Sequence, residues 1–342
     1  MIWPQVLLLN LNSLNMKTIL LICFTFFLFG FTYSQSNYSE TEVNNMINTY
    51  SYYLGQLKTV NEITNNHPHY KLKAKTAQDL WNIKFRLSIE NIITELKKIY
   101  GNKFNEIENE ILANISLIDF SEVKNEDIEN TIEIIKQRAN GEIPSPFLET
   151  LLTFNPTYQN SPEKEMIDGY INDYYTSESE KSNGLNIKIK YPKSWKAKNG
   201  DRPNVVQKFT SDNGHGLEVA ILMINKLNEP LNNEQIEYFL TKEVLEKQLP
   251  KKSEIISYQK DLKMDNINAA SLTFYSEQTQ MNVKLGSIIE FYIFYYNNCQ
   301  VTLMFSVGQI ENKRDDIYKR YEMNKKLFWR MANNVVLLSQ YE

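Results

Sequence analysis

Residues 185–195 read Leu185-Asn186-Ile187-Lys188-Ile189-Lys190-Tyr191-Pro192-Lys193-Ser194-Trp195. Successive side chains of a strand point to opposite faces, so Leu185, Ile187, Ile189 and Tyr191 share one face and Asn186, Lys188 and Lys190 the other. Pro192 cannot donate to the next rung and closes the strand. Trp195, just past the turn, offers a large apolar body suited to covering the start of a core. Downstream of this stretch the pattern predicts a sheet with covering helices; upstream it predicts helices only.

Working upstream, the helical pattern begins at Ser39, which with Glu42 forms a capping box, and runs through Val43, Met46, Tyr50, Tyr53, Leu57 and Val60. A second helix is expected to open at Thr76 and to bury Leu80, Trp81, Phe85, Ile89, Ile92, Leu96 and Ile99, with Gly101 ending it. Further helices are expected over 104–115, 125–138 and 147–154. A last one opens at Ser161-Pro162-Glu163 and shows Met166, Tyr170, Ile171 and Tyr174. Amphipathic helices with short connections predict an antiparallel bundle over 35–175. The polar, aperiodic run 176–184 is expected to be a linker, and 185–342 a second domain.

The N-terminal segment carries a different message. Met16-Lys17 precedes a short apolar run, 18–31, followed by Thr32-Tyr33-Ser34 with small residues at −3 and −1. These are the marks of a secretory signal peptide, so 1–34 is expected to be a leader with an upstream extension, whether the start is Met1 or Met16. The apolar run is shorter than the roughly 20 residues of a membrane span, so no stable span is expected in the mature chain. Cys23 lacks the small preceding residue of a lipidation site. Export to the periplasm or the exterior follows, and cleavage after Ser34 leaves Cys299 alone, with no internal disulfide.

Downstream of Trp195, the Asn199-Gly200-Asp201 and Pro203 signals place a loop, and 205–209 a short strand. His215 lies between Gly214 and Gly216 at a turn, and 217–224 is so continuously apolar that a central strand covered on both faces is expected. Asn232 caps a helix that Pro250 ends. Strands follow near 254–264 and 269–275, and then 287–296 and 299–307 flank Asn297-Asn298, a two-residue link suited to a type I′ hairpin. A final helix over 312–332 and an expected edge strand at 335–338 complete an α+β plan: an all-α domain, then a mostly antiparallel sheet sandwiched by helices.

An alternating strand, then Tyr191-Pro192-x-x-Trp195, a strand pair, one helix, a meander and a C-terminal helix resemble the PsbP-like family over about 184–338. Members often place Gly before the tryptophan, where this chain has Ser194. The resemblance implies a sheet between helices and a binding or assembly role without chemistry of its own.

Catalytic signatures are sparse. His67-Pro68-His69 is the one paired histidine, but no third ligand lies nearby, so neither a metal nor another cofactor is expected. None of the strong hydrolase, phosphate-loop, zincin or EF-hand patterns occurs. The rival reading is a periplasmic or secreted hydrolase with a carboxylate or His215 site in the second domain. Charge favours binding. Positions 35–180 hold 13 basic and 23 acidic residues, and 181–342 hold 23 and 18. The cations gather at Lys188, Lys190, Lys193, Lys196, Lys198 and Arg202, with Lys208 nearby. They are expected to form one patch that docks on an acidic surface, either a protein partner or the chain's own first half, and not on nucleic acid.

Overall fold

In a computed structural model the chain is described over residues 38–118, 123–280, 283–310 and 314–342. The expected leader at 1–34 lies outside these residues. They fall into two units, the first ending at Pro156 and the second running Thr157–Glu342. The expected linker at 176–184 therefore falls inside the second unit, where Thr176 and Ser182 are buried.

The first unit is all helix. The capping box forms: Glu42 N–H donates to Ser39 Oγ at 3.3 Å and Ser39 N–H to Glu42 Oε2 at 2.7 Å. These bonds satisfy donors that a helix start leaves open, and they launch α1 (Glu40–Asn66). A turn at Pro68–Tyr70 leads into α2 (Lys71–Tyr100), five residues earlier than the capping signal at Thr76 suggested. The helices α3 (Phe104–Ser116), α4 (Asn125–Ala139) and α5 (Phe147–Thr153) follow, and α1 packs on α2, α3 and α5, with α4 on α2. Rings interlock between helices, as where Tyr52 stacks on Phe147 at 4.9 Å and Tyr53 on Trp81 at 5.1 Å. A buried polar chain crosses this core. Arg138 Nη1 donates to Gln56 Oε1 at 3.0 Å, Gln56 Nε2 to Gln78 Oε1 at 3.0 Å, and Gln78 Nε2 to Asn82 Oδ1 at 2.9 Å. It fixes α4, α1 and α2 against one another, because breaking any link strands a polar group away from water.

The short α6 (Pro156–Asn160) and α7 (Glu163–Ile167) precede β1 (Ile171–Tyr175). The helix expected through Tyr174 thus stops at Ile167, and Ile171 and Tyr174 are strand residues. β1 pairs antiparallel with β2 (Ile187–Pro192), whose other edge takes β10 (Val336–Leu337). The main sheet contains β3 (Lys196–Asn199), β4 (Val205–Thr210), β5 (Glu218–Lys226), β6 (Glu254–Met264), β7 (Ile267–Gln280), β8 (Val283–Tyr296) and β9 (Cys299–Ile310), in the order β3-β4-β5-β9-β8-β7-β6, with every pair antiparallel. Asn297 at φ 51° makes a two-residue link between β8 and β9, so that Tyr296 faces Cys299, but Asn298 lacks the positive φ that the expected type I′ turn also needs there.

The long C-terminal helix α10 (Arg314–Asn333) covers one face of this sheet. Beneath it lies one core that includes Ile187, Ile189, Trp195, Phe209, Leu222, Phe305 and Phe328. On the other face α8 (Asn233–Phe239) and α9 (Lys242–Glu246) cover only the β6-β7-β8 end, where Leu240 and Leu245 meet Ala270, Leu272, Ile293 and Tyr295. The fold class is α+β: a helical region, then an antiparallel sheet between helix layers. β5 is buried on one face only. Ala220, Leu222 and Ile224 are inside, whereas Val219, Ile221 and Met223 stay half-buried. That differs from the expected two-sided cover.

Candidate binding surface

Of the six cations singled out in the sequence, two lie on the small sheet, two on the main sheet and two in connections between strands. Lys188 and Lys190 lie on β2, alternating with buried Ile187, Ile189 and Tyr191. Lys188 Nζ sits 3.1 Å from Asp173 Oδ2 and 5.3 Å over the Tyr175 ring, and Lys190 stands opposite Asp173 across the β1-β2 pair. Lys193 belongs to the turn that leads to Trp195, where its N–H donates to Tyr170 O. Lys196 and Lys198 are on β3, an edge strand of the main sheet. Arg202 is exposed in the β3-β4 connection, its carbonyl accepting from Lys181 Nζ at 3.1 Å.

Strand register arranges the edge cations. Lys198 faces Lys208, Lys208 faces Ile221, Ile221 faces Met304, and Met304 faces Phe291. Phe291 faces Leu272, and Leu272 faces Tyr258. Directly opposed residues share a face, so one unbroken row crosses the whole sheet. Its far end lies under α8 and the residues that follow it, with Tyr258 Oη donating to Leu240 O at 2.8 Å. Its middle, Ile221, Met304 and Phe291, is apolar and half-buried, and its near end is two exposed lysines. A second row runs Lys196, Thr210, Val219, Ser306, Ile289, Phe274 and Ile255. The face opposite α10 is therefore graded: helix-covered, then apolar and open, then cationic.

Of the acid–base candidates, the histidines lie in connections and the buried carboxyls are bound into the fold. His215 is exposed in the β4-β5 connection, which turns through Asp212 and Asn213 at φ 50° and 52°. His67 ends α1 and His69 lies in the following turn; among the described residues no three His, Cys, Asp or Glu side chains gather as a metal would need. Glu165 of α7 is buried, and its carboxyl accepts the Ser194 N–H and hydroxyl. Burial pushes its pKa up to about 7, against the downward pull of those bonds. Glu218 is buried beside Arg320, whose Nε donates to it at 2.9 Å, and also accepts from Ser211 Oγ at 2.8 Å. Glu290 lies under α10 and accepts from Tyr292 Oη at 2.8 Å and Tyr321 Oη at 3.1 Å, with burial raising its pKa. Each carboxyl serves packing: Glu165 pins α7 to the turn after β2, Glu218 ties β5 to α10, and Glu290 ties β8 to α10. Cys299 is buried, and desolvation raises its thiol pKa.

The sequence matches no protein-family model and no curated protein. Solved structures similar in shape include the Ran-binding protein Mog1p of Saccharomyces cerevisiae, at 9% identity and TM-score 0.34, covering 49% of this chain and 96% of that one. LpqN of Mycobacterium tuberculosis, described as involved in cell envelope biogenesis, is similar at 8% identity and TM-score 0.28, covering 52% and 96%. A Bacteroides thetaiotaomicron protein is similar at 10% identity and TM-score 0.28, covering 46% of each chain. Likeness at this level carries no argument about activity. No helix among the described residues is long and apolar enough to cross a membrane.

Proposed function

We propose that the chain is an exported, non-enzymatic binding or assembly module, PsbP-like in its second unit, and that its open sheet face takes an acidic amphipathic segment of a protein partner. Support for export is the pattern Met16-Lys17, apolar run, Thr32-Tyr33-Ser34. The PsbP-like reading rests on the order of elements from Tyr191-Pro192 through the β6–β9 meander to α10.

The observation that carries the binding reading is the row Lys198–Lys208–Ile221–Met304–Phe291. Like charges directly opposite on paired strands weaken the pairing, and an anionic group seated between Lys198 and Lys208 relieves that repulsion. Beside them lies a half-buried apolar strip of the kind that marks interaction sites. The neighbouring stretch of the same face is already covered by helices α8 and α9, which supports a helical segment as the occupant.

The test is capture from an envelope fraction by the purified protein, at low and high salt, compared with a Lys196→Glu, Lys198→Glu, Lys208→Glu variant. A protein held by the wild type, released as salt screens the charges, and not held by the folded variant supports the reading. Equal capture by both proteins sinks it.

A further inference from the structure

Helix α2 has two apolar faces. One is buried, through Ala74, Ala77, Trp81, Phe85, Ile89, Ile92 and Leu96. The other is a stripe of four large side chains at helical spacing, with Leu72 78% exposed, Leu80 45%, Ile83 80% and Leu87 49%. Leu80 belongs to this outer stripe and not to the core that its spacing had suggested. At 100° per residue these four positions fall within about 80° of one another, a ridge along about four turns of helix with Thr76 between Leu72 and Leu80. Exposed apolar strips of this kind mark contact surfaces.

The residues beside the ridge indicate what covers it. Lys75, Asp79, Arg86 and Glu90 are all exposed and run along one flank. When a helix pairs antiparallel with its own copy about a two-fold axis, each flank meets the same flank of the other copy. An axis at Ile83 places Leu80 opposite Leu87, Asp79 beside Arg86, and Lys75 beside Glu90, each twice over. Arg86 Nε now lies 3.2 Å from Glu90 within the helix, both side chains more than half exposed, so the pair exchanges partners at little cost. The opposite flank carries Lys84, which meets its own counterpart near the axis, the one unfavourable approach in the arrangement.

We infer that the exposed α2 ridge Leu72-Leu80-Ile83-Leu87 is a self-association surface, on which a second copy of this chain docks antiparallel with its two-fold axis at Ile83. Burying a single helix face is a small interface, so the dimer is reversible, with a dissociation constant in roughly the micromolar range.

Sedimentation velocity of the full chain over a concentration series tests this. The wild type is expected to pass from monomer to dimer. Ile83→Asp should weaken the dimer by roughly 30-fold or more, as for a central anchor. Asp79→Arg or Arg86→Asp alone should weaken it about 10-fold, the double swap should restore it, and Lys84→Gln should tighten it. All these positions are exposed, so circular dichroism and melting should stay at wild-type values. In a Cys23→Ser background, Ile83→Cys should give a disulfide-linked dimer under mild oxidation. Leu72→Cys should not, since two copies of position 72 stand about 33 Å apart. A wild type that stays monomeric up to about 100 µM, even if another protein is found on the ridge, overturns the proposal. So does a dimer indifferent to Ile83→Asp, or a double swap that fails to recover.

Discussion

The Glu165 carboxyl accepts the backbone N–H and the side-chain hydroxyl of Ser194, each at 2.7 Å, from within a buried site. The two bonds fasten α7 to the turn that delivers Trp195 to the core. They do not offset desolvation in full, since the carboxyl sits at about 7 instead of the ordinary 4.5.

A pH dependence follows. The unfolded chain loses the Glu165 proton near 4.5 and the native chain near 7, so between these values the native state holds more protons. Stability then falls as pH rises through this window, by about 3 kcal/mol for this group. Glu165→Gln removes the titration while keeping an acceptor for Ser194. Urea unfolding of wild type and variant between pH 4.5 and 7.5 should show a declining difference, with the wild type losing ground as pH rises. Parallel curves would mean that Glu165 is ionised throughout.

Trp195 is 6% exposed in the core that α10 shares with the sheet. Trp195→Ala should cost about 3–5 kcal/mol, as for other buried aromatics. Melting near the wild-type value would remove this residue from the core.

Much of the second unit was legible from residues 185–195 and Asn297-Asn298, because alternation and a positive-φ turn are local signals. Other features were not. Ile171 and Tyr174 are three apart and suit a helix as well as β1, and pairing with β2 decides between them. β3 reads Lys-Ala-Lys-Asn and has one apolar residue, too few for a pattern. The run 217–224 announces a central strand, but only tertiary structure tells whether a helix reaches both sides. The opposition of Lys198 to Lys208 needs register, which no spacing rule supplies.

Gly216 has no room for a side chain. A Cβ there would lie 1.8 Å from Ser211 Oγ and 2.9 Å from Asp212 Oδ2. Gly216→Ala must push Ser211 off Glu218, and should cost about 1–3 kcal/mol by thermal unfolding. An unchanged melting point would show that the loop yields freely.

Arg320→Met leaves the buried Glu218 carboxyl with Ser211 as its hydrogen-bond donor. Losing the cation should cost about 2–3 kcal/mol at neutral pH. Urea unfolding checks this, and a variant as stable as the wild type would show that the ion pair adds nothing to the fold.

Lys208→Glu turns a repulsive cross-strand pair with Lys198 into an attractive one. It should stabilise the fold by about 0.2–1 kcal/mol while weakening capture of an acidic partner. A variant that gains stability and keeps its partner would separate the lysines from binding.

The small sheet has a consequence for biosynthesis. β2 is its middle strand, yet β10 comes from residues 336–337, and Asn186 N–H bonds to Ser339 Oγ across 153 positions of sequence. Asp265, at the β6-β7 turn, then clamps this segment by accepting from Leu337 N–H at 2.7 Å and Tyr341 Oη at 2.8 Å. A chain not yet delivered as far as Leu337 therefore holds β2 with one edge bare. The whole unit must wait for its last strand before that edge is shielded from neighbouring chains.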